Sequence, residues 1–388
     1  IVTFKNIRCY NKPMFIKSVE LKNFRNYKDL SLNFSRDKIL LIGKNAQGKT
    51  NLLESIYYLS CLNSARAKTD GELILWKENF ARLKAVVEKN DMEKELDVLI
   101  NPPKRKELKV NGVKKSKSAE FCTNLSVVSF SVNDLLLLRG VPEDRRSWLD
   151  MAISQIYPAY PDRISKYNKI RIQKNNHLKE IKGNINADKS LLEVFNTQMA
   201  VAGSNIIFLR IKFLKELQKI AMEKHLQIAQ QEILTTVYNS TVTGDVDFFN
   251  KSDFTVEEIA EQFEQKLKER QLEEIIRAQA LVGPHRDDVS FFINDIEAKK
   301  FASQGQQRTI VLSLKLAELE LIKQKIDDTP VLLLDDVLAE LDNIRQNYLL
   351  NAIGDKTQTI ITSVDTLHFD EEYLKDVEIF KISEGAIV

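Results

Sequence analysis

The chain has 388 residues, 43% hydrophobic and 29% charged, which is more than one ordinary core holds, so two domains are expected. Its 57 Lys plus Arg against 55 Asp plus Glu leave a net charge of +2, so any nucleic-acid site must be a local patch rather than a global field. The three cysteines, Cys9, Cys61 and Cys122, are far apart with no C-x-x-C pair, which argues against a disulfide framework or zinc site. No apolar run reaches membrane-span length, so a soluble, cytoplasmic protein is expected.

Residues 1–13 precede the first strand pattern and are set aside as an extension of uncertain origin. Alternation over 15–24 and again over 30–34 predicts two paired strands. A buried strand over 38–42 then breaks into Gly43-Lys44-Asn45-Ala46-Gln47-Gly48-Lys49-Thr50, and a helix is expected from Asn51 to Ser60. Residues 82–100 read as two strands around a turn, and Asn111-Gly112 marks a tight hairpin. From about Phe121 to about Arg277 helical periodicity takes over, with helices expected over 148–156, 164–181, 191–231 and 256–280. A polar loop at 183–189 and a turn-rich stretch at 239–253 interrupt them.

Strand character returns at 289–294, a long helix covers 301–325, and the apolar run 330–336 ends in Asp335 and Asp336. A helix at 343–353, a strand at 358–363 and strand character over 377–388 close the chain. Strands therefore flank a helical middle. The expected fold class is α/β, with one α/β domain built from 14–119 and 277–388 and interrupted by a mainly helical insertion at 120–276.

The stretch Gly43 to Thr50 has the G-x-x-x-x-G-K-[ST] spacing of a phosphate-binding loop between a strand and a helix. Backbone N–H groups of Gly43 to Gly48 would turn toward phosphate oxygens, with Asn51 opening the helix beyond them. Lys49 would reach the terminal phosphates and Thr50 would put its hydroxyl on Mg²⁺. The helix dipole favours the same anion. Asp335 and Asp336 end a strand whose carboxyl end is expected beside that loop. Asp335 would complete the Mg²⁺ shell, and Asp336 would position or polarise the attacking water.

A third stretch, Phe301-Ala302-Ser303-Gln304-Gly305-Gln306-Gln307-Arg308, sets a donor cluster of Ser303, Gly305 and Gln306 at a helix start. It resembles the signature motif of ABC-type ATPases, and the order loop, insertion, signature, acidic strand and Ala339-Glu340-Leu341-Asp342 resembles the head of the SMC and RecF superfamily. Phe24-Arg25-Asn26-Tyr27, Arg145-Arg146-Ser147-Trp148-Leu149-Asp150 and Gly283-Pro284-His285-Arg286-Asp287-Asp288 sharpen the resemblance to the RecF family of bacterial DNA replication and repair proteins. Two departures stand out: Ala46 where the family usually has Gly, and Thr362-Ser363 where ABC ATPases often place a His.

The resemblance implies an ABC-type P-loop ATPase head with ATP and Mg²⁺ as cofactors. It further implies a slow ATPase in which Ser303 of one copy touches the γ-phosphate held by another, giving an ATP-dependent homodimer that closes on single-stranded or gapped duplex DNA. RecO, RecR and RecA are the implied partners, and DNA repair and the SOS response the setting; no membrane is involved. Two rivals remain at this stage, a small-substrate phosphotransferase and an SMC-like structural ATPase, although long heptad arms are missing. His285 and Arg286 read equally as ligand-facing or structural; Arg145 and Arg146 could contact phosphate but read first as helix-surface arginines that solvate or pair with neighbours such as Glu143 and Asp144. The basic run Lys104, Arg105, Lys106, Lys109, Lys114, Lys115 and Lys117 reads as a solvated hairpin before a DNA contact.

Overall fold

The computed structural model describes all residues except 1–12, 65, 185–189, 249–252, 354–356, 368 and 370, with backbone alone at 371–372. The extension other than Pro13, together with Cys9 and most of the 183–189 loop, therefore lies outside the described residues. The chain divides into two compact units, Ile1–Val132 with Ile322–Val388, and Asn133–Leu321.

The first unit holds two sheets. One is antiparallel, in the order Tyr27–Asn33, Phe15–Phe24, Ala81–Lys89, Met92–Ile100, Glu107–Val110, Val113–Lys115. Its strands alternate, burying Val19, Leu21, Leu83 and Val98 on one face, the pattern of a sheet packed on one side. The other runs Ala386–Ile387, Val377–Ser383, Lys38–Ile42, Thr359–Ser363, Val331–Asp335, Val127–Ser131, parallel apart from the first pair. Its central strands are continuous apolar runs, with Ile39, Leu40, Leu41 and Val331 to Leu334 fully buried, as a parallel sheet covered on both faces requires.

Register places the functional ends together. Asp335 pairs with Thr362 on one side and with Ser131 on the other, while Ile42 pairs with Ser363. These carboxyl ends form the edge where ligands of α/β sheets bind. Val127–Ser131 is a correction to the sequence reading, which put helical texture from Phe121 onward. Its buried Val127, Val128 and Phe130 are claimed by a strand two hundred positions later, a partner that local periodicity does not reveal.

The second unit contains the expected helices as Pro142–Ile156, Tyr160–Gly183, Ser190–Ile228 and Val256–Arg277. It also contains an antiparallel sheet in the order Gly244–Asp247, Leu234–Ser240, Asp288–Ile293, Ile296–Glu297. Pairing of Val289 with Tyr238 ties the stretch after 277 to the insertion, so the compact units change over at 132/133 and 321/322 instead of the expected 119/120 and 276/277. Val289, Phe291, Ile310 and Leu314 accordingly share one core with Trp148, Ile206 and Phe263. Among the described residues no helix is long and apolar enough to cross a membrane.

Candidate functional site

The phosphate loop is held in shape from three directions. Gly43 must be glycine, because a Cβ there would lie 2.3 Å from the Ile382 carbonyl oxygen. Gly48 has φ 119° and would drive a Cβ into Asn26 and Tyr27. The same two side chains support the loop, Asn26 Nδ2 donating to the Gln47 carbonyl (3.0 Å) and Tyr27 Oη to the Gly48 carbonyl (3.0 Å). Asn51 Nδ2 donates to Asn26 Oδ1 (2.8 Å). From the C-terminal strand turn, Glu384 N donates to Gln47 Oε1 (2.7 Å) and Gly385 N to the Gln47 carbonyl (3.0 Å).

The loop ends in the helix Lys49–Cys61, which has no side-chain cap and no acidic residue in its first turn. Its leading N–H groups therefore keep their positive end for an anion. Lys44, Asn45 and Ala46 are exposed at the loop tip, and Ala46 sits at φ 65°. A glycine would adopt this conformation without penalty, and Ala46 bears the left-handed strain. Lys49 is buried and lies along the loop, its Nζ donating to the carbonyls of Gly43 (2.6 Å) and Lys44 (3.2 Å).

Across from the loop, Thr50 Oγ1 donates to Asp335 Oδ1 at 2.9 Å. Thr362 Oγ1 lies 2.9 Å from the same oxygen and accepts the N–H of Asp336 (2.9 Å). Asp336 has φ 54°, a left-handed conformation forced at the end of the strand. Burial pushes the Asp335 carboxyl above its ordinary range, against the pull of the Thr50 and Thr362 hydroxyls, and Asp336 adds to the push. A half-buried carboxylate that resists ionisation beside a hydroxyl fits a divalent cation, whose charge would favour the ionised form. Lys49, Thr50, Asp335 and Asp336 are thus brought together in the first unit.

Ser303, Gly305 and Gln306 lie in the second unit. Ser303 is exposed and forms a reciprocal cap at the start of the helix Gln304–Ile326, its Oγ accepting from Gln306 N (3.2 Å) while Ser303 N donates to Gln306 Oε1 (2.8 Å). The Gln306 amide nitrogen donates to Glu232 Oε1 (2.8 Å), and the Gly305 carbonyl accepts from Thr309 Oγ1 (3.0 Å). Asp342 caps the helix Asn343–Ile353 through Arg345 N (3.0 Å).

The sequence matches the family described as RecF/RecN/SMC N terminal domain over residues 15–386. Among curated proteins it is 40% identical over 376 residues to "DNA replication and repair protein RecF" of Bacillus cereus (strain G9842), covering 96% of this chain and 98% of that protein. It belongs to the RecF family. Two solved RecF structures, "recombination mediator protein RecF-ATP in RecFOR pathway" and its "RecF-ATPrS" counterpart, match with TM-score 0.87 at 33% and 32% identity. They span 99% and 97% of this chain and 99% and 98% of theirs. The Smc head domain of Pyrococcus furiosus aligns at TM-score 0.52 and 15% identity over 96% of this chain and 95% of its own, and speaks to fold alone. The fold is that of the SMC/RecF ATPase head with a helical insertion.

Several features of this RecF site escape the sequence reading. Asn26 and Tyr27 support the loop although only the family pattern drew attention to them. Thr362 bridges both acids, its hydroxyl 2.9 Å from Asp335 Oδ1 and 3.3 Å from Asp336 Oδ1. Arg66 is close enough to pull the Asp335 carboxyl down by its charge, and its Nη1 donates to Asn51 Oδ1 (3.1 Å). Arg145 is a correction: it is buried, not surface, and is bidentate to Asp288 (2.6 and 2.9 Å), a partner 143 positions away. His285 is held inward, Nδ1 2.7 Å from Tyr167 Oη and Nε2 3.1 Å from the Ala280 carbonyl. Lys106 of the basic run is not solvated but bonded to Tyr58 Oη (2.9 Å), the Leu62 carbonyl (3.0 Å) and Asp70 (3.1 Å).

Proposed function

We propose that the chain is an ATP-dependent DNA-binding protein of replication and recombinational repair, in which ATP closes two copies around DNA and slow hydrolysis reopens them. The observation that carries this reading is the meeting of Thr50 with Asp335 beside an uncapped helix N-terminus. It is supported by the relatives' name, DNA replication and repair protein, and by the RecF structures named with ATP in the RecFOR pathway.

Thr50 and Asp335 would hold Mg²⁺, which when bound neutralises phosphate charge. The loop N–H groups from Gly43 to Gly48 would cradle the phosphates, and Lys49 would swing from the Gly43 and Lys44 carbonyls to the terminal phosphate. Asp336, braced by Thr362, would orient the attacking water. The exposed Ser303, with Gly305 and Gln306, would meet the γ-phosphate bound by the other copy, which is how one ligand can favour the closed state over the open one. The pathway named for the RecF structures supports RecO and RecR as partners; RecA loading at gaps and the SOS response as setting rest on the family resemblance alone.

Dimerisation measured with and without ATP tests the reading. The wild-type chain should dimerise on ATP, and Ser303→Arg should abolish that while ATP still binds. Dimerisation unaffected by the substitution sinks the composite site. DNA-stimulated hydrolysis excludes a small-substrate kinase, and the dependence of DNA affinity on salt counts the phosphate contacts.

A further inference from the structure

The second unit contains a cavity of about 270 Å³ that the proposed ATPase cycle does not use. Three helices each contribute one guanidinium to its wall: Arg146 from Pro142–Ile156, Arg171 from Tyr160–Gly183 and Arg210 from Ser190–Ile228. Their charges are balanced unequally. Arg210 is bidentate to Asp150 (2.9 and 2.9 Å) and donates to the Pro284 carbonyl (2.7 Å), so it is neutralised within the fold.

Arg146 and Arg171 form no salt bridge among the described residues. The hydrogen bond of Arg146 among the described residues runs from Nη1 to the Asp287 carbonyl (2.8 Å), a neutral acceptor. Arg171 has a buried Nε with no hydrogen-bond partner. Guanidinium groups do not deprotonate in proteins, so both half-buried groups stay cationic; Asp288, Glu143 and Asp287 act on Arg146 by charge without a salt bridge among the described residues, which leaves donors on the wall that suit an anion. Ser147 and Asn168 add a hydroxyl and an amide to the same wall. His285 does not compete for the ligand: the Ala280 carbonyl only accepts, so Nε2 carries the proton and Nδ1 accepts from Tyr167. A wall of two guanidinium forks, a hydroxyl and an amide suits a tetrahedral oxyanion better than a planar or apolar ligand. The volume is several times the roughly 30 Å³ share of one water, enough for such an anion with part of its hydration.

We propose that this cavity binds a phosphate-class oxyanion through Arg146 and Arg171, at a site that shares no residue with the phosphate loop. The one carboxylate on its wall not already paired to an arginine, the exposed Glu143, opposes that binding.

The test is calorimetric titration of the full-length chain with pyrophosphate, using Lys49→Ala throughout to silence the phosphate loop. Binding should persist in Lys49→Ala, fall roughly tenfold or more when Arg171→Met or Arg146→Gln is added, and tighten when Glu143→Gln is added. Arg171→Met keeps the apolar stem; should it unfold, Arg171→Lys and Glu143→Gln still read the site. No binding in Lys49→Ala, or binding unchanged by both arginine substitutions, overturns the proposal. A gapped-duplex arm identifies the source. If DNA affinity and its salt slope also fall, a nucleic-acid phosphate fills the cavity; if only pyrophosphate binding falls, a small phosphate compound does. ATP-induced dimerisation reads the ATP site independently, so either idea can fail without the other.

Discussion

Thr50 and Asp335, 285 positions apart in the chain, meet through their side chains at 2.9 Å. One arrives at the start of a helix and the other at the end of a strand. Among the described residues neither forms a salt bridge there, and Arg66 reaches Asp335 only by its charge, which makes the pair sensitive to what binds between them.

Asp335→Asn should therefore have opposite effects with and without ligand. The folded carboxyl is raised above its ordinary 3.8, so its contribution to stability is full below that value and is lost as pH rises through the folded pKa. At neutral pH the ionised group weakens the unliganded fold. The variant should unfold at higher urea than wild type without ligand, lose that advantage in acid, and bind ATP in Mg²⁺ at least roughly tenfold more weakly. A variant destabilised at neutral pH without ligand contradicts this.

Ala46→Gly should stabilise the loop. Alanine at φ 65° bears about 1 kcal/mol of left-handed strain, partly offset by the greater freedom of glycine in the unfolded chain. Urea unfolding should show a net gain of up to about 1 kcal/mol. Nucleotide affinity should change little, since position 46 offers its backbone N–H with either residue.

Arg145→Met removes one half of a buried pair and leaves Asp288 without its bidentate partner. The loss should be on the order of 3 kcal/mol in the stability of the second unit. Arg145→Met combined with Asp288→Leu should recover part of it, because two apolar groups leave no charge behind. A double-mutant cycle showing no coupling would place the cost elsewhere.

His285 gives a pH signature. Burial first, and then the charges of Arg171, Arg286 and Arg146, push it down to about 3, whereas the unfolded chain titrates near 6.5. Its contribution is present above 6.5 and is lost as pH falls toward 3. Wild type should lose on the order of a few kcal/mol across that window relative to His285→Gln, which has no imidazole to protonate. Parallel pH profiles would show that His285 titrates in the fold as it does in the unfolded chain, which contradicts this.

What was legible in the sequence was what local chemistry writes down. The loop from Gly43 to Thr50 carries its own spacing, and the run into Asp335 and Asp336 carries its own burial. The long helices carry their periodicity. Relationships that depend on distant pairing were not legible. Val127–Ser131 becomes a strand because Val331–Asp335 lies beside it, and Asp288–Ile293 joins the insertion because Leu234–Ser240 does. Arg145 reads as a surface residue until Asp288 arrives, and Thr362 stands out in the sequence only as a departure from the ABC pattern until register sets it opposite Asp335. Arg66 follows the loop helix in an irregular stretch with no pattern to announce it.

The hold of the Glu384–Gly385 turn on Gln47 means that the phosphate loop is moulded partly by the far end of the chain. Removing residues from Glu384 onward deletes none of the residues proposed to hold phosphate or Mg²⁺, yet it frees one flank of the loop. The ordering that the turn now provides in advance would have to be supplied by ATP on binding. A shortened chain should therefore bind ATP more weakly with a less favourable entropy in calorimetry, making this last hairpin a tuning point for nucleotide affinity.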